Sequence, residues 1–208
     1  MVFANYNAFR VAVQNLIEGD DTSNTFSVNT LDLLIGLGEA RVYHGDAQTP
    51  GLRASTMLRD LSATVTANAS TLPADLLELK EVRFAGEAPL EIIPLDRLRT
   101  YEAAGAGGGD VRYCAQDGDT LRFWPVATGT VLGRYYAKPA PLETALGTTF
   151  TRYPELYIFA ALIESAPFLG MDNRMPMWDA KFRSLMDGAL HSERMRVYGG
   201  GPLKVRAR

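Results

Sequence analysis

The sequence predicts an α+β fold, with a helical-bundle body, a small antiparallel β subdomain inserted in it, and an extended C-terminal tail. Three observations carry this expectation. Apolar residues recur at helical spacing at both ends of the chain, and the pattern changes to period two across the middle. Gly199-Gly200-Gly201-Pro202 then breaks any helix before the last six residues. The expected organisation is body helices in 1–61, the β subdomain in 62–141, further body helices in 142–196 and the tail in 197–208.

Phe9, Val13, Leu16 and Ile17 place a first helix over 5–18, with Gly19 as its stop. The polar run GDDTSNT, 19–25, offers no apolar surface for a core and reads as an exposed loop. A second helix starts near 27–29 with Asn29 as N-cap, carries Leu31, Leu34, Ile35 and Val42 on one face, and ends near Gly45. Gly36 and Gly38 inside it permit close helix packing. A shorter helical stretch is expected over 52–61.

Strands are expected over 62–68 and 77–84, with a short one at 89–93 and a helical turn from Pro94 to Tyr101. AAGAGGG, 103–109, is a flexible connector. Strands 111–115 and 120–124 flank Gln116-Asp117-Gly118-Asp119, a hairpin signal, and 130–138 adds a strand ended by Pro139 and Pro141. Helix resumes at Pro154, with Leu156, Phe159, Ile163 and Ala166 as one stripe and Pro167 expected to kink or end it. The last helix, 176–194, turns Trp178, Phe182, Leu185 and Ala189 inward.

The chemistry-bearing residues are sparse. Cys114 is the one cysteine, so neither a disulfide framework nor a cysteine-rich metal site is expected, and no cofactor is implied. His44 and His191 lie far apart, each near an expected helix C-terminus, where a cation suits the dipole. Glu78 with Glu81, or Asp32 with Glu39, could pair for acid–base work but read more simply as solvated faces. The aromatics Phe123-Trp124 and Tyr135-Tyr136 suit a core or subunit interface better than a base-stacking platform. Gly105 to Gly109 lacks the order of a phosphate-binding loop. Nothing here specifies catalysis. No signal peptide or membrane span is visible, so a soluble protein made in a reducing cytoplasm is expected.

Charge is unevenly placed. The chain carries −3 overall, but Arg194, Arg196, Lys204, Arg206 and Arg208 face no acid after residue 193, which leaves −8 on residues 1–193. An acidic body with a basic tail argues against a general nucleic-acid coat and marks the tail as a separate interaction element.

Several blocks in order resemble the head-to-tail adaptor family of tailed phages. They are VNTLDLLIGLGEARVYHG (28–45), LPADLLELKEVRF (72–84), PLEIIPLDRL (89–98), DTLRFWPVATGTVLGRYYAKPAPL (119–142), TRYPELYIFAALIESAPFLG (151–170) and YGGGPLKVRAR (198–208). The resemblance covers roughly 27–208, and it is the order and spacing of the blocks that are specific. It implies a non-enzymatic virion protein of the phage neck, made in the bacterial host cytoplasm. It also implies a dodecameric ring of copies beneath the portal protein, with tail or nozzle proteins below, DNA as passing cargo and no membrane.

The resemblance further implies that the C-terminal extension contacts portal subunits. On this sequence the portal-binding residues would be Tyr198, Gly199, Gly200, Gly201, Pro202, Leu203, Lys204, Val205, Arg206 and Arg208. Leu203 and Val205 alternate with Lys204 and Arg206, a period of two that fits an extended strand adding to a sheet edge. Two other readings remain: another neck component, such as a tail terminator or head-completion protein, and a small hydrolase or nucleic-acid-processing enzyme. A pocket with convergent carboxylates or histidines would mark the last of these.

Overall fold

The computed structural model describes residues 3–18, 26–105, 109–170 and 173–197. Among them are six helices and seven strands in two sheets. The fold is α+β, but the expected helical-bundle body with a small β insertion is overturned. The chain divides into two compact units, Met1–Thr56 with Pro139–Arg208, and Met57–Lys138. The second has its own sheets, helix and core, which is far more than an appendage.

In the first unit, α1 (Tyr6–Glu18), α2 (Val28–His44), α4 (Thr148–Arg152) and α6 (Met175–Val197) surround α5 (Pro154–Leu169). They form no bundle of equivalent helices, because α5 is the common partner: α1, α2, α4 and α6 all pack on it. That is why α5 shows no single stripe. Leu156, Tyr157, Ile158, Ala160, Ala161, Leu162, Ile163 and Ala166 are all buried, while Phe159 is only partly so. A helix covered on most of its circumference is apolar nearly all round.

Close packing of α2 on α5 depends on Gly38. A Cβ there would stand 2.8 Å from the Ala161 nitrogen and 3.0 Å from the Ala160 carbonyl carbon. One turn further along, the hydroxyls of Tyr43 and Tyr157 share a buried hydrogen bond at 2.9 Å. The cap of α2 is Ser27, whose hydroxyl accepts from the Thr30 N–H, and not Asn29. Pro167 lies inside α5 without ending it: it falls in the last turn, and the helix stops at Gly170 in the left-handed conformation, φ 61°. On α6 the core residues are Trp178, Phe182, Met186 and Ala189, with Leu185 half-buried.

In the second unit, β1 (Leu58–Val65), β7 (Gly129–Ala137) and β3 (Leu76–Phe84) make one antiparallel sheet in the order β1-β7-β3. β2 (Ala69–Thr71), β6 (Thr120–Trp124), β5 (Tyr113–Asp117) and β4 (Glu91–Ile92) make the other. The unit is not wholly antiparallel, since β4 pairs with β5 in parallel. Leu61, Val65, Val82, Phe84, Cys114, Leu121, Phe123 and Val131 form a core shared by both sheets, and α3 (Leu95–Ala103) covers a smaller cluster through Leu98.

The helix expected over 52–61 is instead a 3-10 turn, Ser55–Met57, followed by β1. Eight residues of β1 pair with β7, and this long ladder outweighs a local pattern that either structure would satisfy. The hairpin of β5 and β6 turns at Gly118, φ 60°, as its Asp-Gly signal predicts.

Candidate interaction site at the end of the last helix

The buried face of α6 runs Trp178, Phe182, Met186, Ala189 and then Glu193. A carboxylate in a position that continues an apolar stripe must be paired, because burying it alone would cost several kcal/mol. Glu193 is 5% exposed. Its Oε2 accepts the backbone N–H of Ser55 at 2.8 Å. Its Oε1 accepts from the Tyr153 hydroxyl at 2.7 Å and the Arg152 guanidinium at 3.0 Å.

Two further bonds close the cluster. Arg152 and Arg196 both donate to the Ser55 hydroxyl, at 3.0 and 3.2 Å. Thr56 and Thr149 share a hydroxyl bond at 2.8 Å. Burial pushes the Glu193 carboxyl up, but the Ser55, Tyr153 and Arg152 donors together outweigh it and hold the group below its ordinary value. Burial and the bond to Glu193 raise the Tyr153 phenol. The arrangement is an ionic anchor. It fixes the last turns of α6 to the α4–α5 corner and to the segment before β1.

The residues expected to bind a partner, 198–208, follow α6 directly and lie outside the described residues, as does the polar run 19–25. Of the glycine-rich connector, 106–108 lie outside them too. Gly105 and Gly109 on its flanks have φ of 73° and 113°, which only glycine adopts readily.

The other residues singled out from the sequence do not converge. His44 ends α2, whereas His191 stands before the last turn of α6, where Arg194 and Arg196 sit instead. Cys114 is buried on β5, and burial pushes its thiol up to about 12. Asp32 accepts from Tyr6 at 2.7 Å and pairs with Arg10, while Glu39 accepts the Leu142 N–H at 3.1 Å. These two carboxylates therefore serve separate contacts. Phe123 and Tyr135 belong to the β core, and Trp124 stacks loosely with Tyr101 and Tyr113 at 5.3 and 6.1 Å. An open groove of about 540 Å³ is lined by Glu87, Glu91, Asp110 and Arg112 among others. Among the described residues no group of three or more His, Cys, Asp or Glu is placed to hold a metal ion, and no helix is long and apolar enough to cross a membrane.

Sequence reasoning missed the anchor and one surface. Glu193 was legible as the next step of the α6 stripe, four residues after Ala189, but its partners come from distant segments. On α2, Val28, Leu33 and Leu37 are 52%, 58% and 42% exposed. Gly36 beside them has open space above it. Leu33 and Leu37, one turn apart, thus form a bare apolar strip opposite the face that packs on α5.

A family model described as SU10 adaptor protein matches residues 4–206. No curated protein matches the chain.

Proposed function

The chain belongs to the SU10 adaptor protein family, and on that premise we propose that it is a structural adaptor of a tailed-phage particle, without catalytic activity. Copies of it form a dodecameric ring in the virion neck, between the portal protein above and tail or nozzle proteins below. DNA passes through the lumen as cargo. Residues 198–208 reach the portal, with Leu203 and Val205 giving register on a sheet edge and Lys204, Arg206 and Arg208 facing an acidic surface.

The observation that carries this reading is the family match over nearly the whole chain. Three features of the molecule support its details. The anchor at Glu193 gives the extension a rigid root. The Leu33–Leu37 strip offers an apolar surface for a neighbouring copy. The −8 carried by residues 1–193 suits a channel along which phosphates slide without being held. On this reading the free subunit is monomeric or weakly associated and assembles on the portal. Electron microscopy of portal rings mixed with the purified chain tests the proposal. Added density of twelve-fold symmetry on one portal face is expected, and bare portal rings at saturating chain would refute it.

A further inference from the structure

Helix α5 carries a different surface at each end. Near its C-terminus Phe168 is 62% exposed, and just beyond, in the first turn of α6, Met177 is 63% exposed. These are the most exposed large apolar side chains among the described residues of the helical unit. Met175 and Pro176 beside them are exposed as well. At the other end, where α4 meets α5, lies a groove of about 280 Å³ lined by Thr151, Pro154, Glu155, Leu156 and Leu185 among others. Its volume is below the roughly 300–1,000 Å³ of small-molecule pockets and suits one large side chain.

An aromatic ring and a thioether left bare at a helix corner mark a contact surface, and the flexible methionine adapts to the shape it meets. Charge gives the corner and the groove opposite signs. Arg174, exposed at the corner, stands over the Trp178 ring at 5.9 Å, a cation–π contact that holds its guanidinium in place. Glu155, also exposed, lines the groove. Neither side chain belongs to an ion pair among the described residues. Residues 154 to 168 of one helix span roughly 20 Å at about 1.5 Å per residue, so the two surfaces do not meet within one molecule.

We propose that the α5–α6 corner of one copy docks in the α4–α5 groove of the next, with Phe168 and Met177 entering it and Arg174 facing Glu155. A contact between two different surfaces is heterologous. It repeats head to tail, and it closes into a ring when the rotation between copies divides a full turn. The ring rests on the adaptor reading, whereas the contact stands on the helical unit alone. A groove for one large side chain buries far less than the roughly 1,200–2,000 Å² of a stable interface. The contact is therefore weak between free chains and is populated at high concentration or on a template.

The experiment is cross-linking of the full chain by a short bismaleimide, at millimolar concentration and without portal, between Asn173→Cys at the corner and Thr151→Cys at the groove. Both positions are exposed, and Cys114 is buried. A mixture of the two single variants should give the mixed dimer in several-fold excess over either homodimer. The chain carrying both cysteines should give a ladder of copies. Phe168→Ser with Met177→Ser should lower the yield several-fold, and so should Arg174→Glu or Glu155→Arg alone. Combining the two charge reversals in one chain should restore it, which a merely damaged fold would not do. A statistical mixture of dimers, no trapping at all, or reversals that fail to rescue each other would overturn the contact. Portal rings decorated normally by the wild-type chain beside any of those results would leave the adaptor reading intact and remove this contact alone.

Discussion

The Glu193 carboxylate receives the Ser55 N–H at 2.8 Å across 138 positions of sequence, and the same carboxylate holds Arg152 and Tyr153. Removing it strands three donors at once, which sets the scale of the first prediction. Glu193→Ala should destabilise the protein by about 2 kcal/mol, while Arg152→Ala should cost less, because the guanidinium is 32% exposed and partly screened. Urea unfolding of the two variants beside wild type measures both; equal, negligible losses would contradict the anchor.

Acid should act through the same group. The Glu193 pKa is lower in the folded chain than its ordinary value. Its contribution is therefore fully present above the ordinary carboxylate range and is lost as pH falls through the folded value. Stability of wild type should be flat in this term from neutral to mildly acidic pH and decline below about pH 4. Glu193→Gln should start lower and decline less steeply there, as urea midpoints across that range would register.

Two glycines on one helix should respond in opposite directions. At Gly38 a new Cβ meets Ala161 nitrogen at 2.8 Å, so Gly38→Ala must push α2 from α5 and cost roughly 1–3 kcal/mol. At Gly36 nothing lies within 4 Å, and Gly36→Ala should stabilise by up to about 1 kcal/mol through helix propensity. Thermal midpoints of the pair decide it; the same sign for both would contradict the packing described.

The exposed strip gives a prediction about assembly. Leu33→Asp with Leu37→Asp should leave the chain folded at a cost of about 1–2 kcal/mol, mostly lost helix propensity, since both side chains are largely exposed. Assembly of the chain on portal rings should nevertheless fail or weaken strongly. Wild-type decoration by this variant, counted by electron microscopy, would remove α2 from the contact between copies.

How much of this was legible in the sequence differs from element to element. α1, α2 and α6 follow from apolar spacing, and the β5–β6 hairpin from its Asp-Gly turn, because these signals are local. β1 was misread in part, since 52–61 was read as a short helix and only the distant β7 ladder decides for a strand. α5 was read as one-sided because its burial all round comes from helices that are remote in sequence. The bundle body failed for a related reason. Residues 57–138 form two sheets around a common core, and no local pattern announces that Cys114, Leu121 and Val131 will meet. The partners of the anchor were invisible likewise: Ser55 and the pair Arg152-Tyr153 lie far in sequence from Glu193, so only the place of the glutamate on the α6 stripe was legible.

The central claim is that the chain is an adaptor attached to the portal through its C-terminal extension, and deletion of residues 199–208 tests it most directly. The truncated chain keeps every described contact of the Glu193 anchor, so it should melt cooperatively near the wild-type temperature. Co-sedimentation with portal rings, over a salt series, then measures attachment. The account predicts that the full chain binds portal and weakens with salt, as a basic extension on an acidic surface must, while the truncated chain fails to bind at any salt. A truncated chain that sediments with portal at unchanged affinity would contradict it.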